Sequence, residues 1–221
     1  MSAQPSLAAS TGVQPLQRDF FARHPRRVAR DLLGKVLVRS RNSKNGVGPV
    51  VLAARIVEVE AYLGENDPAA HAFAGKTARN SVLFGPPGYA YVYFVYGNHY
   101  CLNVSCQREG KAGCVLFRAL EPLIGLETMA RARGTVLKGP RDLPKLTSGP
   151  GRLAEAFGIT RARDNGSDMV SPQSGLWIGD DGLYRGRVLI TPRIGITKAA
   201  DQPLRYLVAG NAFVSGRKRV T

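Results

Sequence analysis

The chain is poor in the residues that build metal centres and covalent cross-links. Its 221 residues include three cysteines and three histidines. Cys101, Cys106 and Cys114 are odd in number and form no CxxC pair, which argues against a disulfide scaffold and a zinc ribbon. Buried, reduced thiols of an intracellular protein are the expected state. His24, His71 and His99 lack the HxxxH spacing of a helical metal site, so no metal is expected, and nothing implies an organic cofactor. No apolar run reaches the roughly 18 residues that a membrane span needs. No apolar stretch follows N-terminal charges as in a secretion signal. The expectation is an intracellular protein, cytoplasmic or nucleoid-associated if bacterial, with no membrane contact.

Negative charge is also scarce. Sixteen Asp and Glu face 31 Lys and Arg, a net charge of +15. A surface this basic calls for a polyanion, and nucleic acid is the first candidate. Arg outnumbers Lys by 23 to 8, which suits phosphate and groove contacts because the guanidinium is a planar fork of donors. A high Arg content also follows from genomic codon composition, and that reading stands beside the first. Apolar and charged fractions of 44% and 21% are those of a globular protein. With no internal repeat and no domain break, a single domain over 18–221 is expected, preceded by a small, polar, disordered tail at 1–17 and ending in a basic tail with Arg217, Lys218 and Arg219.

Along the chain, apolar spacing predicts helix from Asp19 to Gly34, interrupted at Pro25. Residues 35–39 read as a strand, 40–48 as a hairpin loop with Asn-Gly, and 49–62 as a long strand. Residues 63–80 form a long loop holding His71, Lys76 and Arg79. Residues 89–104 read as a tyrosine-rich hairpin with Gly97-Asn98 as a two-residue turn flanked by Tyr96 and His99. An aromatic at such a tip is an insertion or stacking device. A strand at 113–120, a helix at 122–133, a short helix at 152–157 and strands at 176–179, 188–191 and 204–208 follow. The fold class is therefore α+β: a single mixed domain around a curved, mostly antiparallel sheet, open-barrel-like, flanked by helices, with a protruding hairpin.

One stretch carries chemistry. In RIVEVEAY, a period of two puts Ile56, Glu58, Glu60 and Tyr62 on one face and Val57, Val59 and Ala61 on the other. Carboxylates inside a hydrophobic strand are costly unless paired, hydrogen-bonded or facing a wet cleft, and in a cleft one of them can serve as a general base. A solvated face of an edge strand fits the same pattern. Arg118, alone in the apolar run GCVLFRAL, requires an anionic partner, and Glu58 or Glu60 is the natural one.

Taken together, RIVEVEAYLG, DPAAHAFAGKTARN, YAYVYFVYGNHYCLNV and CVLFRALEP resemble the alkyladenine (3-methyladenine) DNA glycosylases, over roughly residues 18 to 215. The resemblance implies a monofunctional DNA glycosylase. It would flip alkylated or deaminated purines (the 3-methyladenine and hypoxanthine class) from duplex DNA and hydrolyse the N-glycosidic bond, the first step of base excision repair. It assigns Glu60 as the carboxylate that activates water, and Arg118 as the arginine holding that water and Glu60. Tyr62 and His71 would stack on one face of the base and Tyr93 on the other. Asn103 would exclude the amino group of guanine, Ile194 would help position the water through its backbone, and Tyr96 would fill the gap in the duplex. Arg79 and His99 are DNA-backbone candidates. The partner implied is double-stranded DNA bearing damaged purines, bound by a monomer. A non-catalytic nucleic-acid-binding module using the tyrosine hairpin, and a small-nucleoside hydrolase, are the competing readings.

Overall fold

The computed structural model describes residues 12–42, 49–95, 97–184 and 186–216. Among the described residues nine strands form one sheet: β1 (Gln14–Pro15), β2 (Val36–Asn42), β3 (Pro49–Tyr62), β4 (Ala90–Val95), β5 (His99–Ser105), β6 (Cys114–Ile124), β7 (Leu176–Asp180), β8 (Val188–Thr191) and β9 (Arg205–Val208). The main path runs β1-β7-β2-β3-β6-β5-β4, with β8 joined through β9 to β3, and the pairings are antiparallel. Helices α1 (Arg18–Phe21), α2 (Pro25–Leu32), α3 (Leu126–Ala132), α4 (Pro144–Thr147), α5 (Pro150–Ala156) and α6 (Arg161–Asp164) flank it. This is the expected mixed architecture with a large antiparallel sheet, and the sheet does not close into a barrel. No helix among the described residues is long and apolar enough to cross a membrane.

β3 spans the predicted residues and is central rather than marginal. Its first half pairs with β2, its second half with β9, and its other edge with β6. That disposes of the solvated edge strand: Glu58 and Glu60 are both fully buried.

The alternation along β3 is not uniform. Leu52, Ala54 and Ile56 point into the main core, but so do Val57, Val59 and Ala61. The switch is a β-bulge, because Ile56 pairs with Leu120 and Glu58 with Ala119, leaving Val57 as the extra residue. A one-residue slip turns every following side chain over. Without it, Glu58, Glu60 and Tyr62 would follow Ile56 into the hydrocarbon core; with it they face the opposite layer. The expectation that Ile56 shares the glutamate face is corrected accordingly. A second shift reverses the offset, since the partner of Val59 is Phe117, and Arg118 is the residue passed over on β6. Bulges of this kind re-aim side chains, and here a compensating pair aims Glu58, Glu60 and Arg118 into one layer.

Other expectations are adjusted in detail. Val13 is buried, Gln14–Pro15 pairs with β7, and Leu16 N–H donates to Ile178 O at 3.0 Å, so the segment read as tail joins the sheet from Val13 onward. Residues 1–11 and 217–221 lie outside the described residues. The helix expected from 122 starts at Leu126, and β6 runs on to Ile124. Pro122 is tolerated in the strand because it sits beside a further register shift, where a missing N–H costs least. In the hairpin of β4 and β5, Val95 pairs with His99, so the pair that closes the hairpin is not the expected Tyr96 and His99. Ala90 and Val92 join the main core and Tyr91 packs on the opposite side, as alternation requires, whereas Phe94 is 48% exposed and rests on Tyr100 with ring centroids 5.0 Å apart.

Candidate active site

The layer behind the glutamates is made by the second half of β3, by β6, and by the segments on either side of β9. Glu58 is held by four donors. Its Oε1 accepts from Arg118 Nε at 2.9 Å, Arg205 Nε at 2.7 Å and Ser215 Oγ at 2.9 Å, and its Oε2 accepts from Ser215 N–H. Two arginines and a serine thus supply four hydrogen bonds, three on Oε1 and one on Oε2.

Glu60 is held differently. Ile194 N–H donates to Oε1 at 2.8 Å, Arg118 Nη1 lies 3.2 Å from the same oxygen, and the Tyr62 hydroxyl donates to Oε2 at 3.0 Å. One acceptor position on Oε2 has no partner among the described residues. Burial pushes the Glu60 pKa up, while Arg118, the Ile194 N–H and the Tyr62 hydroxyl pull against it; the net direction is upward. Arg118 is desolvated too, but Glu60 and Glu58 outweigh that and raise its pKa, so it stays a cation. Burial and the Glu60 charge push the Tyr62 phenol well above its ordinary value, which keeps it a donor.

Two cavities open beside this layer and share Tyr62, Tyr93 and Ile196. The smaller, about 110 Å³, is walled by His71, Tyr91, Asn103 and Cys114 as well. The larger, about 280 Å³, is bordered by Arg118, Ile194, Cys101 and His99. His71 stands exposed at the rim of the smaller cavity. Its Nδ1 is 2.9 Å from the Tyr91 hydroxyl, and its ring meets that of Tyr93 at 4.5 Å in an edge contact. Desolvation by this aromatic wall, and then the Arg79 charge, lower its pKa and favour a neutral imidazole. His71 is therefore grouped with Tyr93, and the ring of Tyr62 is covered instead by the Arg193 guanidinium at 4.6 Å. The resemblance pairs Tyr62 with His71; the rings in contact with His71 are those of Tyr91 and Tyr93.

Asn103 sits in the buried wall. Its Nδ2 donates to Tyr91 O at 3.1 Å and its Oδ1 lies 3.8 Å from Cys114 Sγ, so the amide is fixed in orientation. All three cysteines are buried and free, and burial pushes the Cys114 thiol up to about 12. Arg79 is exposed near Tyr91 and His71. His99 packs over Gly151 at the start of α5, where a Cβ would meet its ring at 2.8 Å. Tyr96 lies outside the described residues. The structure thus brings Glu60, Arg118, Tyr62, Tyr93, His71, Asn103 and Ile194 around two adjoining cavities, with His99 at the edge.

Sequence reasoning passed over Arg193, Asp67, Arg205, Ser215 and Cys114. Arg193 and Arg205 carried a usable signal, since each stands beside an apolar strand as a lone cation that burial would force to find a carboxylate. Asp67 and Ser215 carried none.

The model of the methylpurine-DNA glycosylase (MPG) family matches residues 19–212. A protein of Koribacter versatilis (strain Ellin345) named "Putative 3-methyladenine DNA glycosylase" is 63% identical over 204 residues, which cover 92% of this chain and 94% of that one. Proteins with the same name from Rhodopseudomonas palustris (strain HaA2) and Alkaliphilus oremlandii (strain OhILAs) are 49% and 43% identical, covering 91% and 90% of this chain and 90% and 98% of theirs. The chain belongs to the methylpurine-DNA glycosylase family and is an enzyme of the DNA glycosylase class.

Proposed function

We propose that the protein extrudes an alkylated or deaminated purine, of the 3-methyladenine and hypoxanthine class, from duplex DNA and hydrolyses its N-glycosidic bond with a water activated by Glu60. The single observation that carries this reading is the contrast between the two buried glutamates. All three partners of Glu60 (Tyr62, Arg118 and Ile194) border the larger cavity, whereas of the three residues that hold Glu58 only Arg118 does.

A base within a stacked duplex is out of reach of a hydrolase, so the nucleotide must leave the helix, at a cost of a few kcal/mol. Tyr62 and the His71–Tyr93 pair offer aromatic surfaces that return about 1–3 kcal/mol per stacked contact. Tyr96, which lies between β4 and β5 in the sequence, is the candidate for filling the vacated space. Cleavage passes through an oxocarbenium-like sugar, as in glycoside hydrolysis. Ionised Glu60 takes a proton from the attacking water and places negative charge near the developing cation. Arg118 and the Ile194 N–H hold that carboxylate in orientation and oppose the effect of burial on its pKa. The water oxygen bonds to C1′ as the bond to the base nitrogen breaks, its proton passes to Glu60, and the base leaves with the bonding pair. A cationic 3-alkylated purine needs no further help; a neutral purine must gain a hydrogen bond or a proton. The basic surface supplies the grip on DNA, and Arg79 and His99 are candidates for backbone contacts.

The test uses methylated duplex DNA containing 3-methyladenine and, separately, a duplex with one hypoxanthine. Release of free base by the wild type, with strand breaks appearing only after alkali, supports a monofunctional hydrolytic glycosylase. Strand cleavage without alkali, or release of no base from either substrate, contradicts it.

A further inference from the structure

We infer that Arg193, clasped by Asp67, is a positioning residue that holds the stacking wall and the catalytic carboxylate in one geometry. This rests on the proposed roles of Tyr62 and Glu60 and extends them. Both side chains of the pair are fully buried. The guanidinium engages Asp67 through two donors, with Nη2 at 2.9 Å from Oδ1 and Nη1 on Oδ2. It reaches further. Nη1 donates to the carbonyl of Ala61, the residue between Glu60 and Tyr62 on β3, at 3.1 Å. The Cζ atom lies 4.6 Å from the centroid of the Tyr62 ring. The next residue along the chain, Ile194, donates its N–H to Glu60 at 2.8 Å.

Asp67 extends the clasp to the loop that carries His71. Its two oxygens also accept from Leu63 N–H and Ala69 N–H, each at 3.1 Å, and Ala69 lines the smaller cavity. Gly64 makes the tight passage possible: at φ +72° its Cα lies so close to the Ala112 carbonyl that a Cβ would fall 2.0 Å from the oxygen. One ion pair therefore touches a wall of the pocket (Tyr62), the loop that supplies another, and the strand of the carboxylate. A planar fork is suited to this and an ammonium is not, because three directed hydrogen bonds are made from fixed nitrogens while the flat face covers the Tyr62 ring.

A pair kept only for stability makes a different prediction from one kept for geometry. Removing one partner leaves a buried charge alone, whereas removing both charges relieves that penalty. The experiment therefore compares Asp67→Asn, Arg193→Met and the double variant D67N/R193M, with Glu60→Gln as reference, using single-turnover base release, affinity for undamaged duplex and Tm. The expected result is that both single variants lose Tm and the double variant regains most of it. Its release rate stays about tenfold to a hundredfold below wild type, while affinity for undamaged duplex is unchanged. A double variant that regains the wild-type rate along with its Tm overturns the inference. If the double variant does not fold, Arg193→Lys decides, since it keeps a cation for Asp67 without the fork: a reduced rate at unchanged duplex affinity supports the inference, and a wild-type rate overturns it. Failure of the earlier reading is distinguishable, because then Glu60→Gln releases base as fast as wild type whatever the Arg193 variants do.

Discussion

Glu58 and Glu60 stand two residues apart on one strand, both without solvent exposure, and share a single arginine: Arg118 Nε is 2.9 Å from Glu58 and Nη1 is 3.2 Å from Glu60. The sharing divides labour. Glu58 fixes the guanidinium from behind, with Arg205 and Ser215 completing its shell, and the free edge of Arg118 meets Glu60 beside the cavity. A chain that buries two carboxylates in a sheet accepts a cost, and the two are expected to respond oppositely to neutralisation.

Neutralising Glu58 strands two buried cations. Glu58→Gln is expected to lose about 3–5 kcal/mol of stability, read as a lower urea midpoint with unchanged slope. Release of base should fall with it as Arg118 loses its anchor. A variant as stable as wild type contradicts the structural role given to Glu58.

Neutralising Glu60 has the opposite sign. Its pKa in the fold is raised, chiefly by burial, so the protonated form is favoured by folding. That stabilising contribution is complete below the unfolded pKa and lost as pH rises through the folded one. At neutral pH Glu60→Gln should therefore match or exceed the wild-type Tm, and the difference should shrink as the solution is acidified below the ordinary carboxylate pKa. A Tm well below wild type at neutral pH contradicts this.

The same raised pKa governs rate. Base release requires ionised Glu60, so the single-turnover rate should fall as pH drops through a value above the ordinary 4.5 of a glutamate. Around this carboxylate stand Arg118, Tyr62 and Glu58, with Arg193 and Cys101 close enough to feel its charge. Because Arg118 is the strongest influence pulling the pKa down, Arg118→Gln should move the acid limb further up while lowering the plateau. A limb that stays in place removes Arg118 from the control of Glu60.

Asn103 offers a test of base selection. Its amide is locked by Tyr91 and faces Cys114 in a cavity of about 110 Å³. Trimming it with Asn103→Ser should allow slow release of unmodified guanine from duplex DNA, with release of 3-methyladenine reduced less than tenfold (about 1.4 kcal/mol). No detectable guanine release contradicts a discriminating role.

Much of this was legible in the chain. The limits of β3, the hairpin around Gly97, the lone Arg118 and the resemblance motifs brought Glu60, Tyr62, His71, Tyr93, Asn103 and Ile194 to one region before any coordinates. What escaped was the register. The paired bulges at Val57 and Arg118 turn the glutamates out of the core, and a bulge is set by how two distant strands settle against each other, not by local composition. The same holds for the Val95–His99 pairing, which replaces the expected turn. Arg193, Asp67 and Ser215 escaped because their partners lie 126 residues away or more: Arg193 meets Asp67, and Ser215 meets Glu58 at a separation of 157. No window of sequence contains both ends of such a bond.

The most direct measurement is single-turnover release of 3-methyladenine by Glu60→Gln, beside its affinity for the same duplex and its Tm. The account predicts a rate lower by about 10²–10⁴-fold, with affinity and folding retained. A folded variant that releases the base at a rate near wild type would contradict it, and the role of activating water would have to pass from Glu60 to another group.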